Sequence, residues 1–415
     1  MNSIIPSDLK LNAQFTSPKF FNSFLNKRSF EPGWLVDLRK DAWNKFKKLP
    51  ENKTKDERWR FSPRSRLGHS KFGLMAESKN KLTLNNEFSE ELYFETLEHT
   101  ILNNPDLLKD FQSLTGPDLG SEETFLLCRC LSESGFVLKT EKGVKAQNSL
   151  ICNHIAPSNN ESLFQTNVLF IEPFSELTII EYFDSNDKIS PGMLSNLNHI
   201  ILNEGAKLNR VLIQRLNNNS TFKHLEKIEL QKDAQFNSIS LHLGSRQSRV
   251  ESNGVILGNG AHFNNFSLSL GHNEQLFDQR TIQHHIAPNG RSNLLFKNAL
   301  LDKSKSVFSG LIKVEPGAQN TDSFQTNRNL LLSNDAEADS LPGLEILANE
   351  VKCSHGATTS KIDEQELFYL QSRGITKKLS EKLIVLGFFE EIIGQIKSDT
   401  IIQELRNEVS NFFNS

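Results

Sequence analysis

Hydrophobic positions along this 415-residue chain change their spacing twice. Up to about residue 115 they recur at helical intervals. In Trp34 to Phe46, for example, Leu35, Leu38, Ala42 and Phe46 fall near one stripe, and Pro50 ends the segment. From about Thr124 short apolar runs take over. Phe125-Leu126-Leu127-Cys128-Arg129-Cys130-Leu131 and Phe136-Val137-Leu138, parted by Ser and Gly, predict strands. Further on the alternation is strict: Ile239, Leu241 and Leu243 in one segment, Phe266, Leu268 and Leu270 in another. Beyond residue 362 helical spacing returns. Asp363 with Glu366 forms a capping-box pattern and Gly374 suits the end of that helix. Thr376 and Ser398 precede two more apolar helical stretches.

The alternating region also repeats. A polar corner, usually Gly or Asp followed by Ala, recurs at Gly205-Ala206, Asp233-Ala234, Gly260-Ala261, Gly290-Arg291, Gly317-Ala318, Asp335-Ala336 and Gly356-Ala357, at intervals of 28, 27, 30, 27, 18 and 21. A repeat of this length with strand periodicity predicts a solenoid, here a parallel β-helix. The corner residues tolerate the positive φ that a tight turn between sheet faces requires. About seven coils at ~4.8 Å would make a rod of about 35 Å. The expected organisation is a mostly helical region over 1–115, a mainly β, parallel β-helix core over 116–362, and a helical region over 363–415. The helical regions, or a partner, are expected to cap the exposed sheet edges at the ends of the rod.

Composition narrows the function classes. Hydrophobic residues make up 37% and charged residues 23%, which fits a chain with a real core. A formal net charge of −3 gives no general attraction to nucleic acid or to an anionic membrane. No apolar run is long enough to span a bilayer, and the first residues lack a secretory pattern. Four cysteines, at 128, 130, 152 and 353, are too sparse for a disulfide scaffold and include no CxxC, so a reduced, cytoplasmic protein is expected. No GxxxxGK[ST] loop, GxGxxG fingerprint, GxSxG elbow or HExxH helix occurs. Nucleotide chemistry would have to come from another chain.

Candidate chemistry concentrates at Val351 to Thr359. On an extended segment residues two apart share a face, so Cys353 and His355 present a thiol and an imidazole side by side, a pair suited to iron, zinc or a cluster. Such sites commonly take four protein ligands, so the remainder must come from elsewhere in the fold or from a partner. Cys128 and Cys130 would share a strand face but read better as packing. His284 and His285 are adjacent and point to opposite faces, which also predicts packing. Trp59, in a charged linker, is expected to be a buried anchor, and Asn103-Asn104-Pro105 a turn.

Several ungapped blocks carry a family resemblance. Lys352-Cys353-Ser354-His355-Gly356-Ala357-Thr358, Leu367-Phe368-Tyr369-Leu370 and Ser372-Arg373-Gly374-Ile375 follow NRNLLLS at 327–333, Pro342-Gly343-Leu344-Glu345-Ile346, and VEPGAQNTDSFQ at 314–325. In this order they resemble the SufD branch of the SufB/SufD family, scaffold subunits of the SUF iron–sulfur cluster assembly machinery. The match is dense from Gln283 to Phe389 and weak before Glu172. Glu57-Arg58-Trp59-Arg60-Phe61 fits a family segment only loosely. A SufB chain would show Cys-Glu-His-Glu-Ala where this one has Ser354 and Gly356, although Ala357 to Ile362 is SufB-like.

The resemblance implies a right-handed β-helix with helical flanks and a non-catalytic scaffold that pairs with SufB and docks the SufC ATPase. It places His355, and with it Cys353, at the SufB contact, where a transient iron–sulfur cluster is built. It also implies that the C-terminal helices receive SufC, through Asp363, Leu367, Phe368, Tyr369, Arg373, Leu379, Leu383, Leu386 and Phe388. ATP would then act only through SufC, and without SufB the chain could pair with itself. The alternatives are the paralogous SufB scaffold and a carbohydrate-active β-helix enzyme. The latter needs paired carboxylates in a groove, and none stand out.

Overall fold

The alternating middle of the chain winds into a parallel β-solenoid. The computed structural model describes residues 14–50, 56–62, 67–69, 72–75, 82–85, 92–396 and 398–414. Consecutive parallel strands from β4 (Phe136–Thr140) to β19 (Val351–Lys361) alternate between two sheets. One strand in each sheet makes a turn, and eight turns make a rod of about 34 Å at ~4.8 Å per turn. The eight even-numbered strands, beginning with β4, stack in chain order in one sheet, and the eight odd-numbered ones, from β5 (Leu150–Ala156) to β19, stack in chain order in the other. Equivalent residues stack without slippage: Leu208, Phe236 and Phe263 lie in register on three successive odd strands, and the two phenylalanine rings are 5.5 Å apart and nearly parallel.

Each turn has two corners rather than one. At the even-to-odd corner, positive φ occurs at Gly205, Asp233, Gly260, Asn289 and Asn320; at the odd-to-even corner it occurs at Asn160, Ser245, Asn273 and Asp302. The repeat read from the sequence mixes the two series. Asp335-Ala336 belongs to the second corner, and Gly356-Ala357 lies inside β19, which accounts for the short last intervals. At the fourth and fifth positions of the first series Asn289 and Asn320, not Gly290 and Gly317, adopt the left-handed conformation.

The terminal regions clad opposite sides of the rod. α1 (Pro18–Asn26), α2 (Gly33–Lys47), α3 (Leu97–Asn103) and α4 (Glu122–Leu131) pack with the even sheet, through Leu127, Cys128 and Leu131 against Phe164, Met193 and Leu197, and through Leu97 and Ile101 against Val137 and Val168. The expectation of a strand over Phe125 to Leu131 is therefore corrected. A short apolar run has no period of its own, and Glu122 and Glu123 in the first turn favour the helix dipole. On the helix Cys128 and Cys130 diverge: one thiol reaches Ser195 O at 3.7 Å and the other Leu127 O at 3.6 Å. The described part of the N-terminal region also contributes the short strands β1 (Leu74–Met75), β2 (Leu82–Leu84) and β3 (Leu92–Thr96).

A linker strap lies further along the even sheet. Trp59 is half-buried there, donates to Gly120 O at 3.0 Å, and carries the Arg249 guanidinium 3.8 Å above its ring. Beneath it a buried chain of charges runs from Glu251 through Arg249 and Asp278 to Arg280, and the two arginines also donate to the carbonyls of Arg58, Leu119 and Arg60.

The C-terminal helices do not close the rod. α6 (Lys377–Ile393) and α7 (Asp399–Asn414) lie across the odd sheet, where Val385, Phe389, Ile392, Ile393, Leu405 and Val409 bury themselves against Val211, Leu241, Phe266, Leu268 and Leu295. Lys297, only 3% exposed, fixes this docking by donating to Phe388 O at 2.7 Å and pairing with Glu391 at 2.5 Å. The N-terminal end is covered by the antiparallel additions of β2 to β5 and β3 to β4. The far end, β18 (Glu337–Ile346) and β19, has no strand or helix over it among the described residues.

Candidate functional site

Cys353 and His355 stand on β19, the last strand of the odd sheet. They pair in register with Ser323 and Gln325 on β17 (Thr321–Leu331), whose side chains are buried in the bore. Strand alternation therefore turns both toward the bore, at the turn where the bore is open. Cys353 is half-buried and His355 exposed. The two rows change character along the rod. Leu208, Phe236 and Phe263 give way to Ser292, Ser323 and Cys353, and Leu294 is followed by Gln325 and His355. The first of these rows, apolar over three turns, thus becomes polar at the open end, whereas the second already carries Arg210, Ser238 and Asn265 before Leu294.

The backbone at this end is equally unfinished. Ile362 N donates to Leu331 O, so even residues of β19 face β17 and odd ones, Cys353 and His355 among them, turn their N–H and C=O to the free edge. On β18, Glu337 N and Leu347 N donate to the preceding even strand, so its even residues face outward. Pro342 is one of these. Its missing N–H falls on the open edge, where it costs no ladder bond and blunts promiscuous pairing.

Burial, with the Asp322 carboxylate adding to it, pushes the Cys353 thiol up. The isolated chain therefore holds this sulfur as a thiol, and a soft metal would have to displace its proton. Below the rim, amides form a connected floor: Asn298 to Asn329 at 2.8 Å, Asn329 to Asn327 at 3.0 Å, and Ser340 to Asn327 at 2.6 Å. Among the described residues no group of three or more His, Cys, Asp or Glu is placed to hold a metal ion. Cys353 and His355 are thus an incomplete ligand pair at an accessible rim.

The other expected residues divide. Asp363 caps α5 (Glu364–Ser372) by accepting from Gln365 N and Glu366 N at 2.8 and 3.3 Å. Gly374 ends it at φ 85, and Arg373 lies 5.2 Å from the Tyr369 ring. α5 buries no residue: Leu367 is half-buried, while Phe368 and Tyr369 are 71% and 57% exposed. On α6, Leu379 and Leu383 are 44% and 43% exposed. Leu386 and Phe388 instead pack onto the chain's own odd sheet. Four large apolar side chains on two touching helices thus remain without cover in this chain.

His284 and His285 behave as adjacent strand residues should. His284 pairs outward with Glu315 at 2.9 Å, while buried His285, its imidazole pushed down to about 3 by burial with His284 adding, meets Ser292 at 2.8 Å. The sequence reading missed a buried charge cluster in the middle of the bore. Arg210 pairs with Glu226, His224 lies 3.2 Å from Glu226, and His154 lies 3.4 Å from Glu181. Burial pushes Glu226 up, but Arg210 and His224 outweigh it and hold the carboxyl below its usual range. His224 and Glu226 are two apart on one strand face, but the winding of the solenoid is what brings Arg210 to Glu226 and His154 to Glu181.

Comparison with known proteins identifies the family. Residues 154–388 match the SufBD core domain of the SUF iron–sulfur cluster assembly system. The SufD of Escherichia coli K12 is 30% identical over 301 residues, covering 70% of this chain and 69% of that protein. The SufD of Bacillus subtilis 168 is 22% identical over 418 residues, covering 93% and 95%. A SufBD family protein of Mycobacterium leprae is 36% identical over 184 residues, under half of each chain. With more than half its length matched to that domain, and a parallel solenoid to go with it, this chain belongs to the SufBD family of the SUF iron–sulfur cluster assembly system.

Proposed function

We propose that the chain is a SufD-type scaffold subunit without catalytic activity of its own. The carrying observation is that Cys353 and His355 sit side by side on the last strand, whose outer edge is unpaired among the described residues, and form only part of a ligand set. The free edges of β18 and β19 pair with a SufB subunit, which supplies the remaining ligands, and a transient iron–sulfur cluster, the cargo of the assembly, is built at the seam. In the isolated chain the same edges support self-pairing. The uncovered face of α5 and the start of α6 receives the SufC ATPase. ATP acts only through that subunit, whose dimerisation remodels the seam and exposes the site to iron and sulfide. No helix among the described residues is long and apolar enough to cross a membrane, and the free, unpaired thiols suit a reducing cytoplasm.

The test is co-expression with SufB and SufC subunits, followed by iron and sulfide analysis of the purified complex. His355→Ala is expected to leave the complex intact and to deplete both elements. Cluster assembly at the normal rate in cells carrying His355→Ala would overturn the site. Strong cluster uptake by the isolated chain would instead mark it as functioning like SufB.

A further inference from the structure

We propose that Gln325 is a positioning residue for His355, an inference that rests on the reading of Cys353 and His355 given above. Gln325 is the register partner of His355, one turn deeper on the same inward row, and is fully buried. Its Nε2 donates across the bore to Gly310 O at 3.2 Å, while its Oε1 has no hydrogen-bond partner. The donor end is held by a carbonyl, so the unpaired atom is the acceptor. A Cβ on Gly310 would come within 2.3 Å of that oxygen, so the amide occupies space that only glycine leaves open. One turn up, the register partner of Gly310 is Pro342, so a compact ring with no polar atom stands opposite His355.

The rim thus places Gln325, whose unpaired amide oxygen lies in the bore beside Gly310, in register one strand below His355, with the Pro342 ring over Gly310. Gln325 Oε1 shares its unpaired state with other buried amide oxygens, Gln279 and Gln283 among them, but it is the one in register beneath His355, and a buried acceptor left open calls for a partner. A metal-ligating histidine supplies one, because it donates its second ring N–H to an oxygen acceptor that fixes its tautomer and orientation. When His355 turns in over the bore, one ring N–H goes to Gln325 Oε1 and the other nitrogen stays free for iron. The exposed His355 of the free chain and the unpaired Gln325 are two halves of one contact that loading completes.

The experiment uses the full chain purified with its SufB partner and cobalt(II) as the probe, read by its visible spectrum and by titration. Gln325→Leu is expected to weaken cobalt binding about 10- to 100-fold and shift the ligand-field bands, at an unchanged melting temperature. Gln325→Glu, which keeps an acceptor, is expected to restore both. Gly310→Ala, which displaces the amide from the opposite strand, is expected to reproduce the loss should the leucine variant fold poorly. If His355→Ala loses cobalt while Gln325→Leu binds like wild type, or if Gln325→Glu fails to rescue, the positioning role falls and the site reading stands. If His355→Ala also binds like wild type, the site reading itself falls.

Discussion

Cys353 lies in register with Ser323 on the neighbouring strand, and burial together with the Asp322 carboxylate holds its thiol proton on more tightly than in an ordinary cysteine. The folded-state value is raised, so the stabilising contribution is complete below the ordinary thiol range and is lost as pH rises through the raised value. Cys128, Cys130 and Cys152 are fully buried. Native alkylation at pH 8 should therefore label Cys353 alone, slowly, and accelerate only above pH 9, the ordinary thiol value. Asp322→Asn should raise the rate at pH 8. Intact-mass analysis decides this, and a second labelled cysteine in the native chain would contradict the burial.

The outer edge of β19 should be separable from the fold. Ala357 turns its N–H to the free edge, so Ala357→Pro removes a donor that the isolated chain does not use. The melting temperature should hold, while pairing with the SufB subunit weakens about tenfold or more, the worth of a single good interaction. Analytical ultracentrifugation of the pair measures it. Undiminished pairing would move the interface elsewhere.

The exposed helical face should behave as a binding surface rather than a core. Tyr369→Ala and Leu383→Ala truncate side chains that are 57% and 43% exposed, so each should cost no more than about 1 kcal/mol of stability. At a partner hot spot each should cost about 2 kcal/mol of binding, roughly 30-fold in affinity for the ATPase subunit. Phe389→Ala, on the buried side of the same helix, should instead destabilise the chain by about 3–5 kcal/mol. Calorimetric titration alongside thermal melting distinguishes the two classes.

The strap over the even sheet depends on Asp278, which sits buried between Arg249 and Arg280. Asp278→Ala leaves two desolvated guanidinium groups short of a counter-charge and should cost about 3–5 kcal/mol in urea unfolding. The linker at Arg58 to Arg60, whose carbonyls those arginines bind, should become the first site of proteolysis. Cleavage beginning elsewhere would show that the strap does not hang on this charge.

Much of this protein was legible in its residue order. Alternation at Ile239, Leu241 and Leu243 shows a strand because side-chain direction repeats every two residues whatever lies beyond. The corner series shows a solenoid because each turn must solve the same backbone problem. Asp363 and Gly374 mark a helix because caps act within a few residues. The adjacency of Cys353 and His355 came from the same two-residue rule. Tertiary structure decided the rest. It made Phe125 to Leu131 a helix, because a short apolar run takes its form from the surface it meets. It packed Leu386 and Phe388, half-buried, onto the odd-sheet cluster while leaving Phe368 and Tyr369 bare, and it laid the last helices along the rod instead of across its end. Local backbone preference is written within a turn or a strand pair. Which face is covered, and which edge is left open for another chain, depends on contacts between residues hundreds of positions apart.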